Sequence, residues 1–301
     1  MFRTIKLNKV FLAVLLPVVI AVGAGVKSTC SAEEKEDTKA ENKGVAVPII
    51  MYHSVLLDNE KCGEYIVSLD QVEEDIEYLK HNSFTPVFVN DLIKYVNYNG
   101  ELPDKPVILT FDDGCYNNYE YLIGLLKKEN FKATVSVVGS YTTDASESAE
   151  NPSAAYSYLR WCDINEMRDS GYYEFCSHSF DMHSLEDRKG VLKKAGESEA
   201  EYRHVLITDI DGLQRLFDTN CGFKPNTFTY PYGFHSDTAE QVIRELGFEA
   251  SLGVEEKPNY IVKGDSDCLF GLNRYNRSGL TDTESFMNNM LSDFKTVDPK
   301  A

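Results

Sequence analysis

Two adjacent carboxylates, Asp112 and Asp113, directly follow the apolar run PVILTF (Pro106–Phe111) and precede Gly114. At the mouth of a buried strand such a pair repels itself and is costly unless something cationic sits there. The plain structural alternative is an Asp-Gly turn in which one aspartate caps the next helix. A second cluster, SHSFDMH (Ser177 to His183), follows the run YYEFC. On a helix, His178 and His183 would stand about 140° apart around the axis, a poor chelate. In a turn after a strand they can converge. The chain has only six histidines, so two in one loop carry weight against the alternative of two solvated rings. A third segment, TYPYG (Thr229 to Gly233), closes the run TFTY and alone reads as a turn with aromatic neighbours.

These clusters sit in a chain whose strand-like and helix-like segments alternate. VAVPIIMYH, from Val45, opens with an apolar strand; Ser68-Leu69-Asp70-Gln71 has capping-box spacing, with Leu69, Val72, Ile76 and Leu79 on one helix face. Strands are predicted at Pro106 to Phe111, Ala133 to Val138, Tyr172 to Cys176, Thr227 to Tyr230, Ala250 to Val254 and Leu269 to Tyr275. Helices are predicted from Tyr119 to Leu126, Ile164 to Asp169, Ser198 to Phe217, Thr238 to Leu246 and Thr283 to Phe294. Alternation of this kind implies βα units and a parallel sheet with helices outside it, an α/β class in which functional groups gather at strand ends. The polar stretch Thr142 to Ser153 reads as a mobile surface loop.

The chain has 301 residues, a formal charge of -18 and a pI of about 4.8. Nucleic acid, which is bound by Lys and Arg neutralising phosphates, is excluded as a partner, as is strong attraction to anionic lipid. Arg3, Lys6 and Lys9 precede an apolar run from Val10 to Val26, so residues 1–32 read as a signal peptide or membrane anchor. Cleavage after Ala32, retention as an anchor and acylation of Cys30 all remain open, although Lys27 stands where a lipoprotein signal usually has an aliphatic residue. Residues 33–44 (EEKEDTKAENKG) read as a disordered acidic tether, and 45–301 as the folded domain. The protein is expected to be secreted or at the cell surface, to touch membrane only through its N-terminal segment, and to be a monomer. Seven cysteines form no C-x-x-C pair, and most read as small buried hydrophobes.

In order along the chain, TFDDG, SHSFDMH and TYPYG together resemble the motifs of the polysaccharide deacetylase family (carbohydrate esterase family 4, the NodB-type homology domain), from about Pro48 to Tyr275. VPIIMYHSV, from Val47, resembles the opening strand of a subgroup that includes deacetylases of poly-N-acetylglucosamine, whose metal histidines also stand five apart. The resemblance implies a distorted (β/α) barrel with fewer than eight strands. It implies an exported hydrolase that removes N-acetyl or O-acetyl groups from a cell-wall or extracellular amino-sugar polysaccharide. By position, Asp113, His178 and His183 would ligate one divalent metal; zinc suits that donor set, and cobalt, nickel or iron would accept it. Asp112 would be the general base, and the Tyr232 N–H would support the oxyanion. Tyr230, Pro231 and Tyr232 would line the substrate groove.

Two departures from the family pattern matter. No histidine follows His235, so the usual late histidine acid is missing and His53, in the MYH strand, becomes the candidate. Thr229 stands where an arginine usually precedes the groove proline, so Arg274 is the candidate to orient Asp112. Asp181 is an alternative third ligand. Trp161 reads as packing the short helix at Ile164, His235 as a solvated loop residue, and His81 and His204 carry no role. A non-catalytic polysaccharide-binding protein on the same fold, or a glycosidase, would be the rival. A glycosidase needs two carboxyls about 5 to 9.5 Å apart across the scissile bond, whereas adjacent residues on a strand alternate in direction. The polymer stays open among peptidoglycan, poly-N-acetylglucosamine, chitin fragments and xylan.

Overall fold

A computed structural model of the chain describes residues 44–296. The expected signal or anchor, and all of the tether but Gly44, lie outside the described residues. Seven parallel strands make a curled sheet: β1 (Ile49–Tyr52), β2 (Pro106–Phe111), β3 (Ala133–Val137), β4 (Tyr173–Ser177), β5 (Thr227–Thr229), β6 (Ala250–Leu252) and β7 (Tyr275–Asn276). Their spatial order is β6-β5-β4-β3-β2-β1-β7, and a two-residue piece, Thr85–Pro86, pairs with the start of β2 off this path. From β1 to β6 sequence neighbours are thus spatial neighbours, as right-handed βα winding produces, while β7 returns to lie beside β1. The strands read as continuous apolar runs because helices cover one face and side chains fill the other; all six residues of β2 are buried.

Nine helices flank the sheet among the described residues, and the ones that matter here are few. Helix α1 (Leu69–His81) starts at the predicted Ser68–Gln71 capping box and buries Val72, Ile76 and Leu79. Each such side chain contributes roughly 1.5–3 kcal/mol. Helix α2 (Val89–Asn97) escapes the sequence reading. Its N-terminal N–H groups, at Val89 and Asn90, are capped by the carboxylate of Glu174 on β4, at 2.6 and 3.2 Å, so its start signal lies far away in sequence. Helices α3 (Asn117–Glu120) and α4 (Leu122–Glu129) follow β2. Helix α5 (Gly139–Glu147) corrects the expected loop at Thr142 to Ser153, of which only the part after Glu147 is irregular. Its polar sequence lacks an apolar stripe. Its first N–H groups are instead satisfied by Ser179 and Phe180 carbonyls, at 3.1 and 2.8 Å, and its Thr143 and Ser146 hydroxyls donate back to carbonyls one turn earlier.

Helix α6 (Trp161–Asp169) packs Trp161 edge-on against Phe217 of α7 (Glu199–Cys221), which agrees with a packing role for that ring. Helices α8 (Asp237–Glu245) and α9 (Thr283–Thr296) complete the layer. The expected strand from Leu269 to Tyr275 is corrected as well. Ser266–Leu269 is a 3-10 turn, and regular pairing begins only at Tyr275. Leu272 still exchanges two backbone hydrogen bonds with Ser251 and Gly253, both 2.8 Å, before β7 pairs with β1. One short segment therefore touches both edges of the curled sheet, and irregular backbone is what lets it turn between them. The six described cysteines are free thiols; only Cys176 and Cys221 are buried as small hydrophobes, Cys62, Cys115 and Cys268 are half-buried, and Cys162 is exposed, which corrects the expectation that most are buried.

Candidate active site

The sheet order brings the ends of β2, β4 and β5 to one rim. Asp113, His178 and His183 offer ligand atoms that all lie within 4.8 Å of one another. Asp113 Oδ1 stands 3.1 Å from His183 Nε2 and 3.6 Å from His178 Nε2. The other ring nitrogen of His178, Nδ1, donates to the Thr229 carbonyl on β5 at 2.8 Å. That bond fixes the tautomer and leaves the Nε2 lone pair facing Asp113, the arrangement a metal-binding imidazole needs. His183 Nδ1 lies 3.2 Å from the Tyr232 hydroxyl and 3.4 Å from the Tyr141 hydroxyl. Two imidazoles and a carboxylate suit a borderline divalent ion. Asp181 is exposed and does not belong to this group.

Backbone strain marks each contributing turn. Asp113, Ser179 and Tyr232, one in each of the three segments, have φ of 69°, 68° and 56°. Left-handed backbone is uncommon outside glycine and costs energy that the surroundings must repay. After Tyr232 the chain needs glycine outright, because a Cβ on Gly233 would lie 2.1 Å from Val254 Cγ2.

Asp112 is buried, and Arg274, 0% exposed, holds it through two parallel hydrogen bonds of 2.7 and 2.8 Å. The guanidinium also donates to Gly253 O and to the Thr110 hydroxyl. Burial alone would raise the Asp112 pKa, but the Arg274 charge and hydrogen bonds outweigh it and hold the carboxyl well below the usual carboxylate range. Asp113 is also lowered: burial opposes ionisation, while the hydrogen bond from His183 and the charges of His178 and His53 favour it. Burial lowers His178, against the pull of both aspartates, so its ring tends to neutrality.

His53 extends from the end of β1, its ring edge-on to Tyr65 with centroids 4.9 Å apart, and its buried Nδ1 has no hydrogen-bond partner. An unsatisfied buried nitrogen is unusual enough to need a reason. Of the three expected groove residues, Tyr232 is exposed at 39% and its ring lies on His183, centroids 4.5 Å apart. Tyr230 corrects the expectation. It is buried in an apolar cluster with Phe228 and Met182, because alternate side chains around the turn face opposite ways. Pro231 is buried as well. His235 is exposed, as expected.

Sequence reasoning missed Asp209. From α7 its carboxylate accepts the N–H groups of Phe180 and Asp181, both at 2.8 Å, and so grips the loop between the two histidines. Burial pushes its pKa up to about 6 against those two bonds. The available signal was positional: Asp209 falls between Leu206 and Leu213 on the apolar stripe of α7.

The sequence model of the family described as "Polysaccharide deacetylase" matches residues 99–251. A poly-beta-1,6-N-acetyl-D-glucosamine N-deacetylase of Staphylococcus aureus is 25% identical over 269 residues, covering 85% of this chain and 87% of that protein. In fold, a de-N-acetylase from Aggregatibacter actinomycetemcomitans superposes with a TM-score of 0.67 at 24% identity, covering 81% of this chain and 99% of that one. A Streptococcus pyogenes deacetylase in complex with acetate gives 0.65 at 22% identity, covering 82% and 99%. With its motifs on one rim of such a barrel, the chain belongs to the polysaccharide deacetylase family and is a hydrolase of carbon–nitrogen bonds other than peptide bonds.

Proposed function

We propose that this protein is an exported, metal-dependent deacetylase that removes N-acetyl groups from poly-β-1,6-N-acetyl-D-glucosamine. Residues 45–301 would be its catalytic domain, carried to the cell surface or beyond by residues 1–32 and the tether 33–44, and working as a monomer. The observation that carries the reading is the convergence of Asp113 with His178 and His183 beside an Arg274-bound Asp112. The polymer is suggested by the S. aureus relative, which spans nearly the whole of both chains.

Asp113, His178 and His183 would hold one divalent ion, zinc in the first instance. When bound, such an ion polarises the acetyl carbonyl and acidifies water. Asp112 takes the water's proton. Both its oxygens accept from Arg274, yet each carboxylate oxygen has a second lone pair to offer. Its depressed pKa keeps it ionised but makes it a weak base, which is why it depends on a strongly acidified water. The Tyr232 N–H is assigned to the developing oxyanion, where a preorganised donor is most effective. His53 protonates the departing amine, leaving acetate and a free amino sugar.

Acetate release from poly-β-1,6-N-acetyl-D-glucosamine should stop on chelation and return with added zinc or another divalent ion. His183→Ala should bind no stoichiometric metal by elemental analysis and should not be restored. Release that persists through exhaustive chelation would defeat the metal assignment. A glycosidase would also survive chelation, but would yield new reducing ends in place of acetate.

A further inference from the structure

Next to the site lies a cavity of about 320 Å³ that the proposed chemistry does not use. Its inner wall is Tyr141 and Tyr158, whose rings pack against each other at a tilt of 32° with centroids 4.4 Å apart. Tyr141 also contacts His183, so one aromatic ring separates the cavity from the metal-ligand cluster. Tyr156, 87% exposed, stands at the rim. A tyrosine wall offers a sugar ring an apolar face with polar edges. The remaining charge is one-sided. Asp144 and Glu150 line the cavity and have no cationic partner among the described residues. Arg160 lines it too, but its charge is matched by Asp163, which accepts from Nη2 and Nε along one edge of the guanidinium at 2.7 and 2.9 Å. The cavity therefore presents two exposed carboxylates without a cationic partner beside a pair of packed tyrosine rings, one ring away from the candidate metal-ligand cluster.

We propose that this cavity is a subsite for a sugar unit adjacent to the one being deacetylated, and that it favours a unit whose amine is already free. A protonated amine would sit between Asp144 and Glu150, while its ring rests on the tyrosine wall; an acetamide gives those carboxylates no charge to meet. The enzyme's own product is then its better substrate neighbour, and deacetylation would spread along a chain from units already modified. The inference rests on the reading of the substrate as an amino-sugar polymer, and binding can test it without turnover.

Titration calorimetry of a β-1,6-linked glucosamine oligomer into the full-length protein should show binding. The double variant Asp144→Asn, Glu150→Gln should bind it roughly two- to thirtyfold more weakly, the range for two partly exposed charge pairs. Raising salt from 50 to 500 mM should weaken the unaltered protein towards the variant. In parallel, kcat/KM for an acetylated unit flanked by a free amine should exceed that for a fully acetylated oligomer, and the variant should bring this ratio close to one. Absence of binding, or equal binding by the variant, overturns the subsite. Failure to release acetate from any oligomer would instead overturn the proposed function, while the calorimetric result stands by itself.

Discussion

Asp112 and Asp113 are chain neighbours with different fates, because alternation along a strand end sends one carboxylate to Arg274 and the other to the two histidines. Asp112→Asn should therefore keep its metal, by elemental analysis, while acetate release falls about 10²- to 10⁴-fold, the usual share of a general base. Near-normal turnover would remove Asp112 from that role. His53 is tested by leaving group. His53→Ala should slow an N-acetyl substrate strongly but an acetyl ester of an activated phenol far less, since that leaving group needs no proton. Equal losses on both would return His53 to a packing role. At this scale the sequence was informative where residues stand together: DD, the paired histidines and the turn around Pro231 advertise themselves. Arg274 was legible only as a candidate, since it lies 162 residues from Asp112 and one arginine looks like another until the fold joins them. Tyr230 misled because residue type cannot tell which side of a turn faces the core.

Elements were read well where a local signal exists. The capping box of α1 and the unbroken apolar run of β2 are both self-contained. They were read poorly where the stabilising partner is remote: α2 is capped from β4, and α5 is a polar helix seated on the carbonyls of the histidine loop. Asp209 shows the same dependence in reverse, since a helix here fixes a loop. Asp209→Ala frees the N–H groups of Phe180 and Asp181 and should let the two histidines drift, lowering zinc affinity about 10- to 100-fold, as loss of an outer partner of a metal site does. Competition against a chromophoric chelator would read this directly. Asp209→Asn, which keeps one acceptor, should fall between. A variant that melts earlier but binds zinc unchanged would show that Asp209 only stabilises the fold.

Across the whole molecule, two buried arginines bind the last part of the chain to the first. Arg277 pairs with Asp75 of α1 at 2.7 Å, and the same carboxylate accepts from the Tyr52 hydroxyl of β1, at 2.9 Å, and the Thr283 hydroxyl of α9, at 2.7 Å. Arg277→Met strands a buried charge and should cost about 3–5 kcal/mol in denaturant unfolding. The paired change Arg277→Met, Asp75→Leu should recover much of that, and a single-variant loss below about 1 kcal/mol would contradict the role given to the pair. Arg274 has a consequence in time as well as in space. A nascent chain displays both aspartates and both histidines long before residue 274 is made, yet until then Asp112 has no guanidinium to keep it ionised in a buried place. A chain clipped ahead of Arg274 would thus keep all three motifs yet lack the guanidinium that holds Asp112, and it should release no acetate.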